Sequence, residues 1–401
     1  MSTRRFLTLA ACGLALLGAL PAAPAHATPG QPEAVAEASD TWSAALSAVG
    51  GDDVNVTWSG GALRLADPAA APGGRRAPVP QGLLLTAPHT LATPSDQVAA
   101  HVTAQVAGPA GGVEVEYRGQ AGDRWTEWQA AGAALPEPVG TVQVRVVLTG
   151  AASVTSVRLT AGRTAGAPRP LAAAGAVYRV YATREGLVGG TTANGHVITS
   201  RDHFVALPSR RGLAPKGTGD YTVRVCTTSG ARCEFAPVWD VGPWNTTDDY
   251  WNPPATRQSW KDLPQGLPEA QAAYQSGYNG GKDQFGRTVA NPAGIDLADG
   301  VFWDGLQLAT NAWVDVAYLW TGGGPRGVIG SGPLNIRAGA GSSFASKGYA
   351  ATYAQVPIEC WVTGQSIAGP YGTTTRWDRV GAGQYVSHAY ISSTSGAAPA
   401  C

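Results

Sequence analysis

The chain has 401 residues, with 28 basic and 28 acidic residues that cancel in net charge, and only 14% of residues are charged. This balance, without any basic tract, argues against nucleic acid as a partner. Glycine is abundant (53 residues), and Trp and Tyr (13 each) outnumber Phe (6), as is typical of secreted all-β proteins with aromatic surfaces that handle carbohydrate.

The N-terminus has the pattern of a secretory signal. Arg4 and Arg5 precede an apolar run that ends near Leu20, and Ala25-His26-Ala27 supplies a small-x-small cleavage site. The pattern predicts a signal peptide over 1–27 and leaves open whether export uses the Sec or the twin-arginine route. No later apolar run is long enough to span a bilayer, so we expect a secreted protein without membrane contact after cleavage.

The remaining chain is too long for one ordinary domain. Short runs with β-branched or alternating apolar residues, separated by Gly, Pro and Ala clusters, predict mostly β structure. A helix is expected over 267–278. Pro/Ala/Gly-rich stretches mark the boundaries. The expected order is a mobile arm (28–40), a β-sandwich (41–162), a linker (163–175), a central domain (176–320), a linker (321–327) and a C-terminal domain (328–401).

Two tryptophans stand out in the expected sandwich. The segment GGVEVEYRGQAGDRWTEWQAAG resembles a sandwich module found ahead of catalytic domains in actinobacterial cell-wall amidases, and this resemblance implies an accessory role. Trp125 and Trp128 of its W-T-E-W turn either face a ligand or fill the core of the sandwich.

Four cysteines remain after the signal peptide, an even number that suits an oxidising compartment. Cys226 and Cys233 lie on two expected strands joined by a Ser-Gly turn, so their proximity favours a disulfide between them. Cys360 and Cys401 then pair by elimination. Zinc is the rival explanation, but paired C-x-x-C spacing and nearby His residues are missing, so we expect no metal.

Three motifs of the central domain match a known pattern in order. GTTANGHVI (190–198), VWDVGPWN (238–245) and AGIDLADGVFWDGL (293–306) resemble the T-A-N-G, D-R-G-P-F and I-D-L-S motifs of rare-lipoprotein-A-type domains. The central domain therefore resembles a double-psi β-barrel, the fold of rare-lipoprotein-A-like glycan lyases, expansins, barwin proteins and certain endoglucanases. The resemblance implies that a groove of the barrel holds a glycan. It also implies catalytic or substrate-binding roles for the matching residues, namely Asp240, Asp296, Trp239, Trp244, Thr192 and Asn194.

Cleavage of a glycosidic bond requires an acid, and hydrolysis usually adds a second carboxylate. Asp240 ends an apolar strand beside Trp239, which suits a general acid, and Asp296 is the second candidate. Either could be the acid, with the other as base or stabiliser. The alternatives are structural: Asp240 as a turn residue and Asp296 as a helix cap. His203 is either a third catalytic residue, like a His ahead of an L-P pair in the family, or a surface histidine.

Residues 245–292 form a long insert in the central domain. A long segment beside a site is often a lid or a groove wall. Its aromatic residues either extend a glycan platform or, for several of them, form a small core of the insert against the barrel: Tyr250, Trp251, Trp260, Tyr274 and Tyr278. We interpret Asp248, Asp249 and Asp283 as solvated turn residues, because they lack the spacing of a calcium loop.

The C-terminal domain resembles a bacterial Src-homology-3-like (SH3-like) domain through L-N-I-R-x-G-x-G near its start and W-D-R-V-x-x-G-x-Y-V-S-x-A-Y-I at its end. Such domains in secreted bacterial proteins commonly bind peptidoglycan, often its peptide part. The candidate groove aromatics are Trp361, Tyr371, Trp377 and Tyr385, of which Trp377 and Tyr385 occupy strand positions that are more often core.

Together these features predict a mostly β protein with an N-terminal β-sandwich, a central double-psi β-barrel and a C-terminal small SH3-like barrel. We expect a monomeric, cell-wall-associated protein without a cofactor. Its function would be to bind, and as an enzyme to cleave, the glycan strands of peptidoglycan. The alternatives are a non-catalytic expansin-like wall protein and an extracellular polysaccharide endo-hydrolase.

Overall fold

The computed structural model describes residues 40–70, 79–164 and 175–401. The expected signal peptide, most of the arm and most of the first linker lie outside this range. The described chain is mostly β, with a closed barrel and several sheets, which confirms the predicted fold class at this level.

The N-terminal strands pair into one eight-stranded sheet. On one strand of this sheet Val142, Val144, Val146 and Leu148 are all buried, because alternate residues of a strand project to one face. The strands are β1 (Thr41–Ser43), β2 (Val56–Ser59), β3 (Ala62–Leu65), β4 (Gln81–Leu85), β5 (His89–Ala121), β6 (Arg124–Trp125), β7 (Gln129–Ala130) and β8 (Ala134–Gly162).

Six central strands close into a barrel: β9 (Ala176–Arg184), β10 (Val205–Leu207), β11 (Thr222–Thr227), β12 (Cys233–Val241), β13 (Ala293–Leu297) and β14 (Ala312–Tyr318). Around the barrel the order is β9-β14-β11-β12-β10-β13, and β13 pairs again with β9. The pairings β10–β12 and β9–β13 are parallel, and the other four are antiparallel. Inward-facing apolar residues such as Val180, Val223 and Ile295 are fully buried and fill the barrel.

The C-terminal strands continue from the barrel, because β12 also pairs in parallel with β17. They are β15 (Arg326–Ile329), β16 (Leu334–Arg337), β17 (Ser346–Ala350), β18 (Gln355–Pro357), β19 (Cys360–Gly369), β20 (Gly372–Gly381), β21 (Gln384–Ser387) and β22 (Ile391–Ser395). Strands β18, β15 and β22 form a separate three-stranded sheet.

Helical segments are short. Helix α1 (Glu269–Ser276) lies within the predicted range and ends at Gly277, whose φ of 67° is left-handed. A π-helix covers Gly300–Gly305. Short 3-10 helices cover Arg210–Gly212, Tyr278–Gly281, Leu319–Thr321 and His388–Tyr390.

Both expected disulfides are present. Cys226 and Cys233 lie directly opposite each other on β11 and β12, and their sulfurs are bonded. Cys360, at the start of β19, is bonded to the C-terminal residue Cys401. Disulfides of this kind fit an extracellular protein.

The W-T-E-W turn connects the N-terminal sheet to the barrel. Trp128 is 1% exposed and belongs to the barrel core, where its indole N–H donates to the Leu213 carbonyl at 3.1 Å. The guanidinium groups of Arg118 and Arg145 lie 4.6 and 4.3 Å from its ring. Trp128 therefore neither faces a ligand nor fills the core of the N-terminal sheet. Trp125 is half-buried and also contacts Arg118.

The insert is packed into the barrel. Tyr250 and Trp251 belong to the barrel core, and Trp251 stacks on Tyr318 at 5.2 Å. These two aromatic residues therefore pack against the barrel, as one of the two expectations had it, and they are part of the barrel's own core. The interpretation of the three aspartates as solvated turn residues is wrong. Asp248, Asp249 and Asp283 are 0 to 2% exposed, and each is paired with an arginine. An ionised carboxylate inside a protein needs such a partner.

Candidate functional site

Four residues on neighbouring strands of the barrel are paired in a row. Ala206 of β10 pairs with Asp240 of β12 on one side and with Asp296 of β13 on the other, and Asp296 pairs with Thr183 of β9. Residues directly opposite each other project to the same face of a sheet. The strand neighbours of Ala206 and of Asp296 belong to the barrel core, so these two residues project away from the core, whereas a register shift beside Ala206 interrupts the alternation at Asp240.

Asp240 is 1% exposed at its place in this row. Its Oδ1 accepts the backbone N–H of Ala193 at 3.0 Å and that of Val241 at 2.7 Å. Bonds from backbone N–H groups to a carboxylate are strong, so Asp240 fastens the T-A-N-G turn to the end of β12. The cis peptide between Gly242 and Pro243 follows directly.

Asp296 is partly exposed, unlike Asp240. Its Oδ1 accepts the hydroxyl of Thr183. The small side chain of Ala206 separates the two aspartates. Two strand spacings of about 4.8 Å place their Cα atoms roughly 10 Å apart. Asp240 is almost completely buried whereas Asp296 is partly exposed, so this row suits a single accessible acid better than a cooperating pair.

The T-A-N-G side chains are engaged within the protein. Thr192 and Asn194 are 2% and 3% exposed, and the Thr192 hydroxyl donates to Asn194 Oδ1 at 2.7 Å. The Asn194 amide donates to the Ala214 carbonyl at 3.0 Å. These contacts fix the conformation of the turn. The side chains of Thr192 and Asn194, which were predicted to bind substrate, therefore bond to other groups of the protein.

Aromatic residues flank the row on the Asp240 side. Trp239 is half-buried, and its ring lies 4.9 Å from His196, 6.0 Å from Phe204 and 6.2 Å from Tyr353. Tyr353, between β17 and β18, is 39% exposed, so this group of aromatic rings is open to solvent at Tyr353. Trp244 directly precedes the insert, and its indole N–H donates to Oδ1 of Asn291 at 3.1 Å.

His203 belongs to a second cluster. It precedes Ala206 by three residues, which corresponds to about 10 Å of extended chain. Its Nδ1 lies 2.5 Å from Oε1 of Glu234, whose side chain is fully buried. Burial lowers the pKa of His203, but the hydrogen bond and charge of Glu234 outweigh burial, and the net shift is upward. Burial also raises the pKa of Glu234.

Two glycines of the π-helix leave space for the side chains of His203 and Glu234. A Cβ on Gly305 would lie 1.5 Å from Glu234 Oε2, and one on Gly300 would lie 2.6 Å from the His203 ring. A carboxylate that holds one nitrogen of an imidazole fixes its tautomer and orientation. Sequence reasoning missed Glu234; the signal available was a lone carboxylate in the apolar strand CEFAPVW.

The C-terminal candidates occupy a different surface. Tyr371 is 50% exposed, and Trp361 is half-buried beneath the guanidinium of Arg376 at 5.6 Å. Arg376 and His388 both bond to the buried carboxylate of Asp378, at 2.7 and 2.6 Å.

Within residues 40–70, 79–164 and 175–401, no group of three or more His, Cys, Asp or Glu side chains is arranged to hold a metal ion. In the same ranges no helix has the length and apolar character needed to cross a membrane.

One protein family matches part of the chain. It is described as a domain of unknown function (DUF8814), and the match covers residues 176–317. This range contains the insert and all of the barrel strands except the last residue of β14. No curated protein and no solved structure was found to match the chain.

Proposed function

We propose that the protein is an exported cell-wall protein that binds the glycan strands of peptidoglycan on the outer face of its barrel and cleaves them with Asp296 as general acid. The observation that carries this proposal is the position of Asp296. It is a partly exposed carboxylate on the barrel surface, next to the small Ala206 and bonded to Thr183.

The topology supports the double-psi resemblance that underlies this proposal. The barrel has six strands and two parallel pairings, and the T-A-N-G turn contacts the aspartate of the D-x-G-P motif through Ala193. In the same proposal the N-terminal strands are a sandwich-type accessory module. The C-terminal strands are an SH3-like domain that binds the wall through Trp361 and Tyr371.

A single accessible acid suits a lyase reaction. Asp296 would protonate the leaving glycosidic oxygen, and the sugar's own 6-hydroxyl would attack the anomeric carbon in place of water. The resulting aspartate would then accept the proton of that hydroxyl, so the acid is regenerated and an anhydro-sugar is formed. A hydrolase with two carboxylates would need Asp240 to be accessible, and it is 1% exposed.

The same burial of Asp240 favours a second candidate function. A barrel that binds glycan through aromatic residues without cleaving it, as expansins do, needs no second carboxylate. Asp240 would then serve only to hold the T-A-N-G turn through Ala193.

Incubation of the mature protein with purified sacculi distinguishes these functions. Released muropeptides with anhydro ends, read by mass spectrometry, support the lyase, and reducing ends support hydrolysis. Pelleting with sacculi without product supports the binding protein. A protein that neither releases products nor pellets with sacculi refutes the proposed function as a whole.

A further inference from the structure

A half-buried and an exposed aromatic residue face each other on the far side of Asp296 from Trp239. Tyr181 of β9 lies directly opposite Trp313 of β14, with ring centroids 5.5 Å apart and planes at 74°. Trp313 is 36% exposed. Large aromatic residues at a surface leave apolar area in water, and such exposure marks binding sites.

A charged pair occupies the next outward positions of the same two strands. Arg179 lies opposite Asp315, and its guanidinium makes two hydrogen bonds to the carboxylate, at 2.8 and 3.0 Å. The Arg179 side chain is 57% exposed. The pair therefore holds a guanidinium and a carboxylate in a fixed arrangement beside the rings, with N–H donors and oxygen acceptors both within reach of solvent.

The aromatic pair lies one outward position along β9 from Thr183, the 8% exposed partner of Asp296. Tyr181 and Thr183 are successive outward residues of β9, about 7 Å apart at their Cα atoms. The Thr183 hydroxyl bonds to Asp296. A chain-like ligand that reaches Asp296 can therefore extend along β9 over Tyr181 and Trp313 to the Arg179–Asp315 pair.

We propose that Tyr181, Trp313, Arg179 and Asp315 form a sugar-binding subsite for a glycan strand whose scissile bond lies at Asp296. The inference rests on the proposed function. A pyranose ring carries apolar C–H faces and hydroxyl groups around its rim. The exposed indole offers an apolar surface to such a face, while the paired charges offer donors and acceptors to the hydroxyls.

The charge and size of the patch favour a sugar over a macromolecule. Arg179 is neutralised by Asp315, so the patch does not offer the uncompensated basic charge that a nucleic acid requires. A specific protein interface buries about 800 Å² per partner, whereas the aromatic part of this patch is two side chains wide.

Calorimetric titration with chitotetraose, a soluble β-linked sugar tetramer without peptide, tests the subsite. We expect Trp313→Ala and Tyr181→Ala each to weaken binding at least 10-fold, and Trp313→Phe, which keeps a ring, to weaken it less. Trp58→Ala is the matched control, because Trp58 on β2 is 37% exposed and lies far from β9 in the chain. Thermal melting of each variant verifies folding.

The outcomes separate this inference from the proposed function. If Trp313→Ala and Tyr181→Ala bind like wild type while wild type still acts on sacculi, the subsite is refuted and the proposed function stands. If Trp58→Ala loses as much affinity as Trp313→Ala, the subsite is also refuted. A wild-type protein that binds neither chitotetraose nor sacculi overturns both.

Discussion

The substitution Glu269→Gln should flatten the pH dependence of stability. Glu269 begins helix α1 and is fully buried, and its Oε2 accepts the Asn245 amide at 2.7 Å. Burial raises the pKa of Glu269 to about 7, against the opposing hydrogen bond from Asn245. Burial likewise raises the pKa of Asp248 to about 6, against the charge of Arg257.

The sign follows from proton linkage. Because the folded pKa of Glu269 lies above its ordinary value of 4.5, the neutral form contributes stability that is fully present below pH 4.5 and is lost as the pH rises through about 7. The difference between 7 and 4.5 corresponds to about 3 kcal/mol at about 1.36 kcal/mol per pKa unit. About 2 to 3 kcal/mol of this loss falls between pH 5 and pH 8.

Glutamine has the same shape, can accept the Asn245 amide and stays neutral. Denaturant unfolding, followed by tryptophan fluorescence at pH 5 and pH 8, should therefore show a smaller loss of stability in Glu269→Gln than in wild type, by about 2 to 3 kcal/mol. The exposed Glu137→Gln is the control and should behave like wild type. Equal losses in Glu269→Gln and wild type would refute the reasoning.

Three further predictions concern packing, the histidine pair and a disulfide. Trp128→Ala should lower the free energy of unfolding by about 3 to 5 kcal/mol, measured by denaturant titration, because it empties a buried site in the barrel core; a loss below about 1 kcal/mol would contradict this placement. Glu234→Gln should lower the pKa of His203, measured by NMR titration, because it removes the partner charge; an unchanged pKa would exclude the pair. Replacing Cys360 and Cys401 by Ser should cost about 4 kcal/mol of stability, since the disulfide spans 41 residues; an unchanged melting temperature would exclude that role.

The sequence was informative where local pattern determines structure. Alternating apolar strands, the Gly-terminated helix and two cysteines flanking a Ser-Gly turn predicted β structure, helix α1 and the Cys226–Cys233 disulfide. Each of these features depends on residues that are close together in the chain, and each is present.

The errors arose where burial depends on distant partners. Nothing near Asp249 in the chain indicates its burial, because its partner Arg211 lies 38 residues earlier. Trp128 likewise reaches the barrel core across 85 residues to bond with Leu213. Glu234 was missed because its partner, His203, is brought to it only by closure of the barrel.

The rate at which muropeptides with anhydro ends are released from purified sacculi, compared between Asp296→Asn and Asp240→Asn, tests the central proposal most directly. We expect Asp296→Asn to fold, to pellet with sacculi and to release product at least about 100-fold more slowly than wild type, as loss of a general acid predicts. Asp240→Asn should act through stability, with a lowered melting temperature, because Asp240 anchors Ala193. Wild-type release rates in Asp296→Asn would contradict the proposed role of Asp296.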